Sequence, residues 1–535
     1  MTARPGKVAI FEQFAADGIT RMFGNPGTVE QGFLDVVDGL PDFEYVLALQ
    51  ETVAIAMADG YARATAGPAL VQLHTGVGLG NGIGMLYQAK RGHSPLVVIA
   101  GESGVRYDAM DAQMASDLVA MARPVTKYAT RVTHPGSLLR VLRRAVKIAM
   151  TEPRGPVFVA LPMDVLDADT TEPVVPSTVP SRKSVPVQSE VDRAVDALYD
   201  AERPIIMMGD GISVADAQAE LTAVAEQLDA PVWGVDDSEL NMDAVHPLNR
   251  GQLGHMFGAS SAEVVGDADA VLIVGTYVFP EVFPLLDSPF HPDAKIVHID
   301  LDDYEIAKNF PVDVALVADP KPTLAALSQG LTAAGRTPKP AVVTWEIPEP
   351  TEDATLMEVF AAELARQAPE GLVVFDEALT ASPSMVKYLP PREPGTYFCT
   401  RGGSLGIGIP GAIGAKLARP EAEVVGFTGD GGSMYTIQAL WTAARHELAA
   451  KFVICNNHRY NLLDLNIEQY WQERDIPGHD FPDSFDLSRP EIDFVRLANS
   501  LGVDGIRVEK ASQVEDAVRR MLSHTGPFLV DLLTG

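Results

Sequence analysis

Val424-Val425-Gly426-Phe427-Thr428-Gly429-Asp430-Gly431-Gly432 reads as a buried apolar strand running directly into a glycine-rich turn. A helical stretch, Ser433–His446, follows it, then a second apolar strand, Lys451–Cys455, and the pair Asn456-Asn457. Two continuous apolar strands joined through a helix make a βαβ unit with parallel strands. Ligands of open parallel sheets gather beyond the carboxyl ends of the strands. Here one strand ends at a carboxylate and the next at an amide. Asp430, the amide oxygen of Asn457 and the backbone carbonyl of Arg459 form an oxygen set suited to Mg²⁺, a hard cation that shares its shell with phosphates. Gly429, Gly431 and Gly432 withhold side chains, so the backbone can approach a diphosphate closely. The start of the helix offers that anion its free N–H groups. Gly-Asp-Gly by itself is a turn sequence, and Asn-Asn by itself is bland. The specific signal is their combination, with 24 residues between Gly431 and Asn456 inside a strand–helix–strand.

The same alternation extends over the whole chain of 535 residues. Residues 1–166 carry apolar strands at Glu44–Leu49, Ala69–Leu73 and Leu96–Ala100, with helices at Glu51–Ala64 and Gly80–Lys90 between them. Residues 189–330 carry strands at Pro204–Met208, Ala270–Gly275 and Lys295–Ile299. Residues 354–535 add strands at Leu372–Phe375 and Phe528–Leu532 to the two above. The Pro-, Val-, Ser- and Thr-rich stretch 167–188 and the proline-bearing stretch 331–353 read as linkers. The fold class expected is α/β, with three doubly wound parallel-sheet domains.

Asp plus Glu is 72 against 41 for Lys plus Arg, a formal charge of −31. Such a surface repels phosphate backbones and anionic lipid, which argues against nucleic acid and membrane partners. Any anion must be held by local N–H groups or a metal. Two cysteines, Cys399 and Cys455, exclude a disulfide framework and fit a reducing cytosol. The first ten residues have no apolar signal core, so a cytoplasmic location is expected.

In the first segment, Glu51 stands at a strand–helix junction among Leu47, Leu49, Val53 and Ile55. A Glu there serves the helix dipole or, in apolar surroundings, acts as a proton-transfer group. Phe23-Gly24-Asn25-Pro26-Gly27-Thr28 is a strand-to-helix turn with Thr28 as the expected N-cap. His74 ends a strand, as either a hydrogen-bonded structural residue or a site residue. The spacing in Gly76-Val77-Gly78-Leu79-Gly80 does not match the dinucleotide fingerprint.

Over essentially its whole length the chain resembles the thiamine-diphosphate (ThDP) enzymes of the benzoylformate decarboxylase and acetolactate synthase group. The resemblance is carried by Gly24-Asn25-Pro26-Gly27, Leu49-Gln50-Glu51, Ala58-Asp59-Gly60-Tyr61-Ala62, Leu73-His74-Thr75 and His93-Ser94-Pro95 in the first segment. In the third it is carried by Tyr397-Phe398-Cys399, Gly406 to Gly414, Gly429-Asp430-Gly431, Ala439 to Ala444 and Asn456-Asn457. It implies a pyrimidine-binding domain, a middle Rossmann-like domain and a diphosphate/Mg²⁺-binding domain, in that order. It also implies a site shared between subunits, so a homodimer at least and typically a homotetramer. Glu51 becomes the carboxyl group that activates the cofactor through its aminopyrimidine. Leu405 becomes the apolar wedge behind the bent cofactor, with Leu379, Thr380 and Gly403 beside it. Thr28 and His74 fall on substrate-binding and acid–base positions, and Tyr460, Asn461 and Leu462 on the wall after the metal motif. The activity implied is decarboxylation of a 2-keto acid to an aldehyde, with an acetolactate synthase-like carboligase as the alternative.

The chain departs from the pattern in places. The second catalytic histidine of benzoylformate decarboxylase falls near Val282, where this chain has no histidine, and His255 is the candidate alternative. Leu462 replaces a small pocket residue and should reshape the pocket. The polar stretch from Gln469 to Pro490 reads as a candidate lid. Tyr107-Asp108-Ala109-Met110-Asp111 lacks the paired histidines of pyruvate decarboxylase. The middle segment, with Lys295 to Asp300, resembles that of acetolactate synthase but shows no dinucleotide fingerprint, so FAD is not expected. A nucleotide-binding protein without ThDP chemistry is the remaining reading from another class.

Overall fold

The structure is a computed structural model and describes residues 3–535. It contains three six-stranded sheets flanked by helices. The first consists of β1 (Arg21–Gly24), β2 (Glu44–Leu47), β3 (Ala69–Leu73), β4 (Leu96–Glu102), β5 (Tyr128–Arg131) and β6 (Val157–Pro162), in the spatial order β2-β1-β3-β4-β6-β5. The second consists of β7 (Pro204–Met208), β8 (Val232–Val235), β9 (Asn249–Leu253), β10 (Ala270–Val274), β11 (Lys295–Asp300) and β12 (Val314–Val317), in the order β9-β8-β7-β10-β11-β12. The strands of both sheets pair in parallel. The third consists of β13 (Val373–Glu377), β14 (Tyr397–Cys399), β15 (Val424–Gly429), β16 (Lys451–Asn456), β17 (Asp504–Val508) and β18 (Phe528–Leu533), in the order β14-β13-β15-β16-β18-β17.

In each sheet the strand order reverses between neighbouring central strands, between β1 and β3, between β7 and β10, and between β13 and β15. The chain leaves the two strands at such a point in opposite directions, so a crevice opens at their carboxyl ends. The crevice of the first sheet lies between Gly24, leading to Thr28, and Leu73, leading to His74. That of the third lies between Glu377, leading to Leu379, and Gly429, leading to Asp430. At the middle sheet the equivalent backbones are in contact. A methyl group on Gly211 would lie 2.4 Å from the Cα of Gly275.

The residues cluster into two compact units, one made of the chain up to Pro180 with Glu349–Tyr388 and Cys399–Gly535, the other of Ser181–Pro348 with Leu389–Phe398. In the first unit the helix carrying Glu51, α1 (Glu51–Thr65), lies close against a helix of the third segment. A second helix of the first segment, α2 (Thr75–Arg91), spans the glycine run. The third segment contributes α3 (Gly408–Ala418), α4 (Ala439–Arg445) and α5 (Asn461–Glu473). The partner of α1 is α3. Their backbones approach so closely that a methyl group on Gly414 would stand 2.0 Å from the carbonyl oxygen of Met57. Gly414→Ala is therefore expected to destabilise the protein by about 1–3 kcal/mol through overpacking. Denaturant unfolding measures this, and an unchanged midpoint would mean that the helices can part freely.

Several expectations of local structure are corrected. The Ser433–His446 segment is not one helix. A short turn of helix at Asp430–Ser433 is followed by turns, and α4 begins only at Ala439. Helix α2 begins at Thr75, five residues before the expected start, because helix packing tolerates Gly76 and Gly78 where side chains would collide with Ser116 and Glu51. Thr28 is not an N-cap. It opens a 3₁₀ turn whose cap position is Gly27, and no side chain caps that turn. The strands β5, β6, β8, β9, β12, β14 and β17 lie outside the expected set. The last three are short edge strands, β9 reads as polar Asn-Arg-Gly-Gln-Leu, and β6 is a fully buried strand that the sequence reading passed over. No helix among the described residues is long and apolar enough to cross a membrane.

Candidate active site

Glu51 is the first residue of α1 and is 6% exposed. The helix starts there because the Gln50 side chain accepts from the N–H groups of Thr52 and Val53. One carboxylate oxygen of Glu51, Oε2, accepts a hydrogen bond from Asn81 Nδ2 at 3.1 Å. The other, Oε1, lies over Gly78, where a Cβ would approach to 2.8 Å. Glu51 thus stands at the carboxyl edge of the first sheet with its carboxylate held in place. Asn81 has no counterpart in the sequence reading, because an Asn on a glycine-rich helix has no periodic signal. The link is made when one turn of α2 passes over the start of α1.

His74 follows β3 directly, at the crevice and at the cap position of α2. Its Nδ1 lies 2.7 Å from Glu30 Oε2, and Glu30 Oε1 accepts from the Gly101 N–H at 2.9 Å. Glu30 is fully buried. Burial pushes its carboxyl pKa up, while His74 and the backbone N–H groups of Gly101 and Thr75 pull it down. A buried carboxylate on Nδ1 fixes the ring orientation and directs Nε2 outward. Glu30 was missed in sequence, where it reads as one more surface acid two residues after Thr28. Thr28 itself is exposed, one residue beyond Gly27. A Cβ on Gly27 would stand 1.9 Å from His74 Nδ1, which makes that glycine obligatory. Gly27→Ala is expected to displace the imidazole and lower turnover about 100-fold while leaving cofactor affinity within about twofold of wild type. Steady-state kinetics beside cofactor titration tests this, and wild-type turnover in the variant would remove His74 from the chemistry.

In the third segment Glu377 stands level with Thr428, and Gly429 with Cys455. The ends of β13, β15 and β16 therefore present Leu379, Asp430 and Asn457 at one edge. Asp430 is 4% exposed. Its Oδ1 accepts from the Gly431 N–H at 2.8 Å, and its Oδ2 is buried with no hydrogen-bond partner. Burial raises its pKa against the pull of the N–H groups of Gly431, His458 and Asn457 and the nearby His458 ring. An orphaned buried carboxylate oxygen calls for a cation. Asn456, the first of the pair, is committed internally, donating to Asp531 Oδ1 at 2.9 Å. Asn457 is half-buried, and its Oδ1 accepts from the Arg459 N–H at 3.0 Å, across the left-handed His458 (φ 59°). A carbonyl oxygen keeps a second lone pair for a metal. Open space surrounds the Cβ position of Gly429. The ring of Tyr460 fills the space beside Gly431, where a Cβ would meet it at 2.3 Å, whereas Gly432 has nothing nearer than 3.2 Å. One orphaned acid, one amide oxygen and an open glycine edge fit a Mg²⁺–diphosphate group.

Leu379 holds a left-handed conformation (φ 50°), a strain typical of functional turns. Leu379, Thr380 and Leu405 are half-buried, and Gly403 is exposed with φ 76° and nothing within 4 Å of its Cβ position. Asn461 and Leu462 open α5, both half-buried. The stretch expected as a lid is folded back on the metal loop. The Tyr460 N–H donates to the Phe485 carbonyl at 2.9 Å and the Leu487 N–H to the His458 carbonyl at 2.7 Å. Trp471 stacks on Phe481. No hydrogen bond or ion pair among the described residues joins Glu51 to the Asp430 group. In the second unit His255 is exposed and Val282 is 59% exposed.

Paired switch-point crevices, one with a fixed buried Glu and one with an orphaned acid on a glycine turn, fit the architecture of a thiamine-diphosphate-binding protein. Comparison with known proteins agrees along the whole chain. Residues 5–121 match the thiamine pyrophosphate enzyme N-terminal TPP binding domain, residues 191–327 the central domain, and residues 380–532 the C-terminal TPP binding domain. Benzoylformate decarboxylase of Pseudomonas aeruginosa is 30% identical over 98% of both chains. Acetolactate synthase isozyme 3 large subunit of Escherichia coli is 28% identical over 97% of this chain and 92% of its own. The solved structure of the Rhodococcus jostii thiamine diphosphate-dependent 4-hydroxybenzoylformate decarboxylase superposes with a TM-score of 0.89 at 28% identity, over 99% of both chains. The chain belongs to the ThDP-dependent enzyme family that includes benzoylformate decarboxylase and acetolactate synthase.

Proposed function

We propose that the protein decarboxylates a 2-keto acid to an aldehyde, using ThDP and Mg²⁺, in the manner of benzoylformate decarboxylase. The observation that carries this reading is the His74–Glu30 pair at the mouth of the crevice that also holds Glu51. A fixed imidazole beside the reacting carbon can deliver the proton that completes an aldehyde. Bound ThDP supplies the nucleophilic carbon and the electron sink for loss of CO₂. Asp430, Asn457 and the Arg459 carbonyl would hold Mg²⁺, and Gly429 and Gly432 would let the diphosphate approach, whereas the side of Gly431 expected to do so is taken by the Tyr460 ring. Leu379, Thr380, Gly403 and Leu405 seat the pyrimidine side, with Tyr460, Asn461 and Leu462 on the opposite wall. Glu51 moves a proton at the aminopyrimidine nitrogen through the oxygen that Asn81 leaves free. Thr28 orients the substrate carboxylate. His74 Nε2 holds and delivers the product proton, with Glu30 fixing its tautomer. Glu51 and Asp430 of one site come from two subunits, so the working unit is a homodimer at least, and a homotetramer by family resemblance, in the cytoplasm.

One observation favours carboligation as a second reading. By the family resemblance the further histidine of benzoylformate decarboxylase falls near Val282, where this chain has none, and a slower protonation step leaves more time for a second carbonyl compound to react. The test is CO₂ release and product identity with ThDP and Mg²⁺ over pyruvate, branched-chain and aryl 2-keto acids. Aldehyde with CO₂ supports decarboxylation, and a hydroxyketone or acetohydroxy acid moves the assignment to carboligation. No turnover of any member despite cofactor binding refutes both.

A further inference from the structure

Glu377 is the last residue of β13 and is 1% exposed. No sequence signal marks it, and the site described above does not use it. Its two carboxylate oxygens accept four hydrogen bonds. Oε1 takes the N–H groups of Gly406 at 2.6 Å and Ile407 at 3.3 Å, and Oε2 takes that of Gly408 at 2.8 Å and the hydroxyl of Thr428 at 3.1 Å. Three successive backbone N–H groups at the start of a helix form the anion cradle in which other proteins hold phosphate. Here the cradle at the start of α3 is filled from within by a side chain.

The loop held in this way cannot set its own shape. Gly402, Gly403 and Gly406 have φ values of 85°, 76° and 96°, so the loop contains three residues with little conformational preference of their own. Leu405 sits among them. The Thr436 hydroxyl donates to the Gly406 carbonyl at 2.6 Å from the other side. A Cβ on Gly406 would meet Tyr435 at 2.7 Å, and one on Gly408 would meet the Phe427 carbonyl at 2.6 Å. Thr428, the fourth donor to Glu377, lies two residues before Asp430 on β15. One buried carboxylate thus ties the Leu405 loop to the strand that delivers the metal acid.

We propose that Glu377 is the positioning residue of the cofactor cleft, holding Leu405 in register with the Asp430 turn by filling the helix N-terminus between them. This rests on the reading above that Leu405 seats the cofactor. Gln in place of Glu377 keeps the volume but turns one acceptor into a donor, which must face either the N–H groups of Gly406 and Ile407 or the N–H of Gly408 and the Thr428 hydroxyl. The bonds lost are the charge-assisted kind, stronger than neutral ones.

The experiment is calorimetric titration of the full-length protein with ThDP in excess Mg²⁺, run on the parent, Glu377→Gln, Leu405→Ala and the double variant. We expect Glu377→Gln to weaken ThDP binding by about tenfold or more. In the Leu405→Ala background the same change should cost much less, since Glu377 acts through that loop and coupled sites are non-additive. Thr428→Val, which deletes one donor and is the milder change if the Gln variant does not fold, should weaken binding by about threefold to tenfold. Parent-like affinity in both single variants overturns the proposal. So does an undiminished effect of Glu377→Gln on top of Leu405→Ala, because a general loss of stability would add independently of Leu405. Failure of the parent to bind ThDP would instead strike at the functional reading itself, and the proposal would fall with it.

Discussion

Glu51→Gln should lower turnover by about 10²–10⁴-fold, the range for loss of a positioned acid–base group, and leave Mg²⁺-dependent ThDP binding close to that of the parent. The reason lies in how the carboxylate is held. Glu51 Oε2 is taken by Asn81, and Gly78 leaves room for the second oxygen. Gln has the same shape, can still accept from Asn81 and can still donate one hydrogen bond to the pyrimidine. It cannot exchange a proton there. The variant separates binding from proton transfer, so ThDP titration and steady-state kinetics on the same preparation decide the matter. Full activity in Glu51→Gln would remove the ThDP mechanism altogether. Loss of binding together with loss of activity would make Glu51 an anchor for the cofactor instead of a proton relay.

Asp430→Asn should weaken ThDP binding by roughly 100-fold, at or beyond the range seen when groups that support metal ligands are removed. It should also flatten the dependence of that binding on Mg²⁺. Asp430 Oδ2 has no protein partner, and Mg²⁺ takes hard oxygen ligands, carboxylates above all. An amide presents a weaker neutral oxygen, and its NH₂ repels the cation. Because no ion pair among the described residues involves this carboxylate, the thermal midpoint of the metal-free variant should not fall. Titrating ThDP at several Mg²⁺ concentrations, with thermal unfolding of the apo forms alongside, tests both parts. Unchanged Mg²⁺ dependence would show that the cation is held elsewhere.

The sequence alone was enough for the parallel α/β class, because central strands such as Val424–Gly429 and Ala69–Leu73 are almost continuous apolar runs and can be buried only between helices. It also marked Asp430, Asn457, Glu51 and His74. Each stands at the end of an apolar run, and the place where a strand stops is local information. The ends of the helix after Asp430 were not legible, because turns and a new helix start look alike in a Gly-, Ser- and Thr-containing stretch.

What only the tertiary structure decided is which groups hold the marked residues in place. Glu30 reaches His74 across 44 positions, Asn81 reaches Glu51 across 30, and Glu377 reaches Gly406 and Thr428 across 29 and 51. A local pattern reports the face a residue turns toward its neighbours in sequence. These supports exist because the strand order reverses, between β1 and β3 and again between β13 and β15. That reversal brings together ends that are far apart in the chain, and nothing in a periodicity of two or of 3.6 residues specifies it.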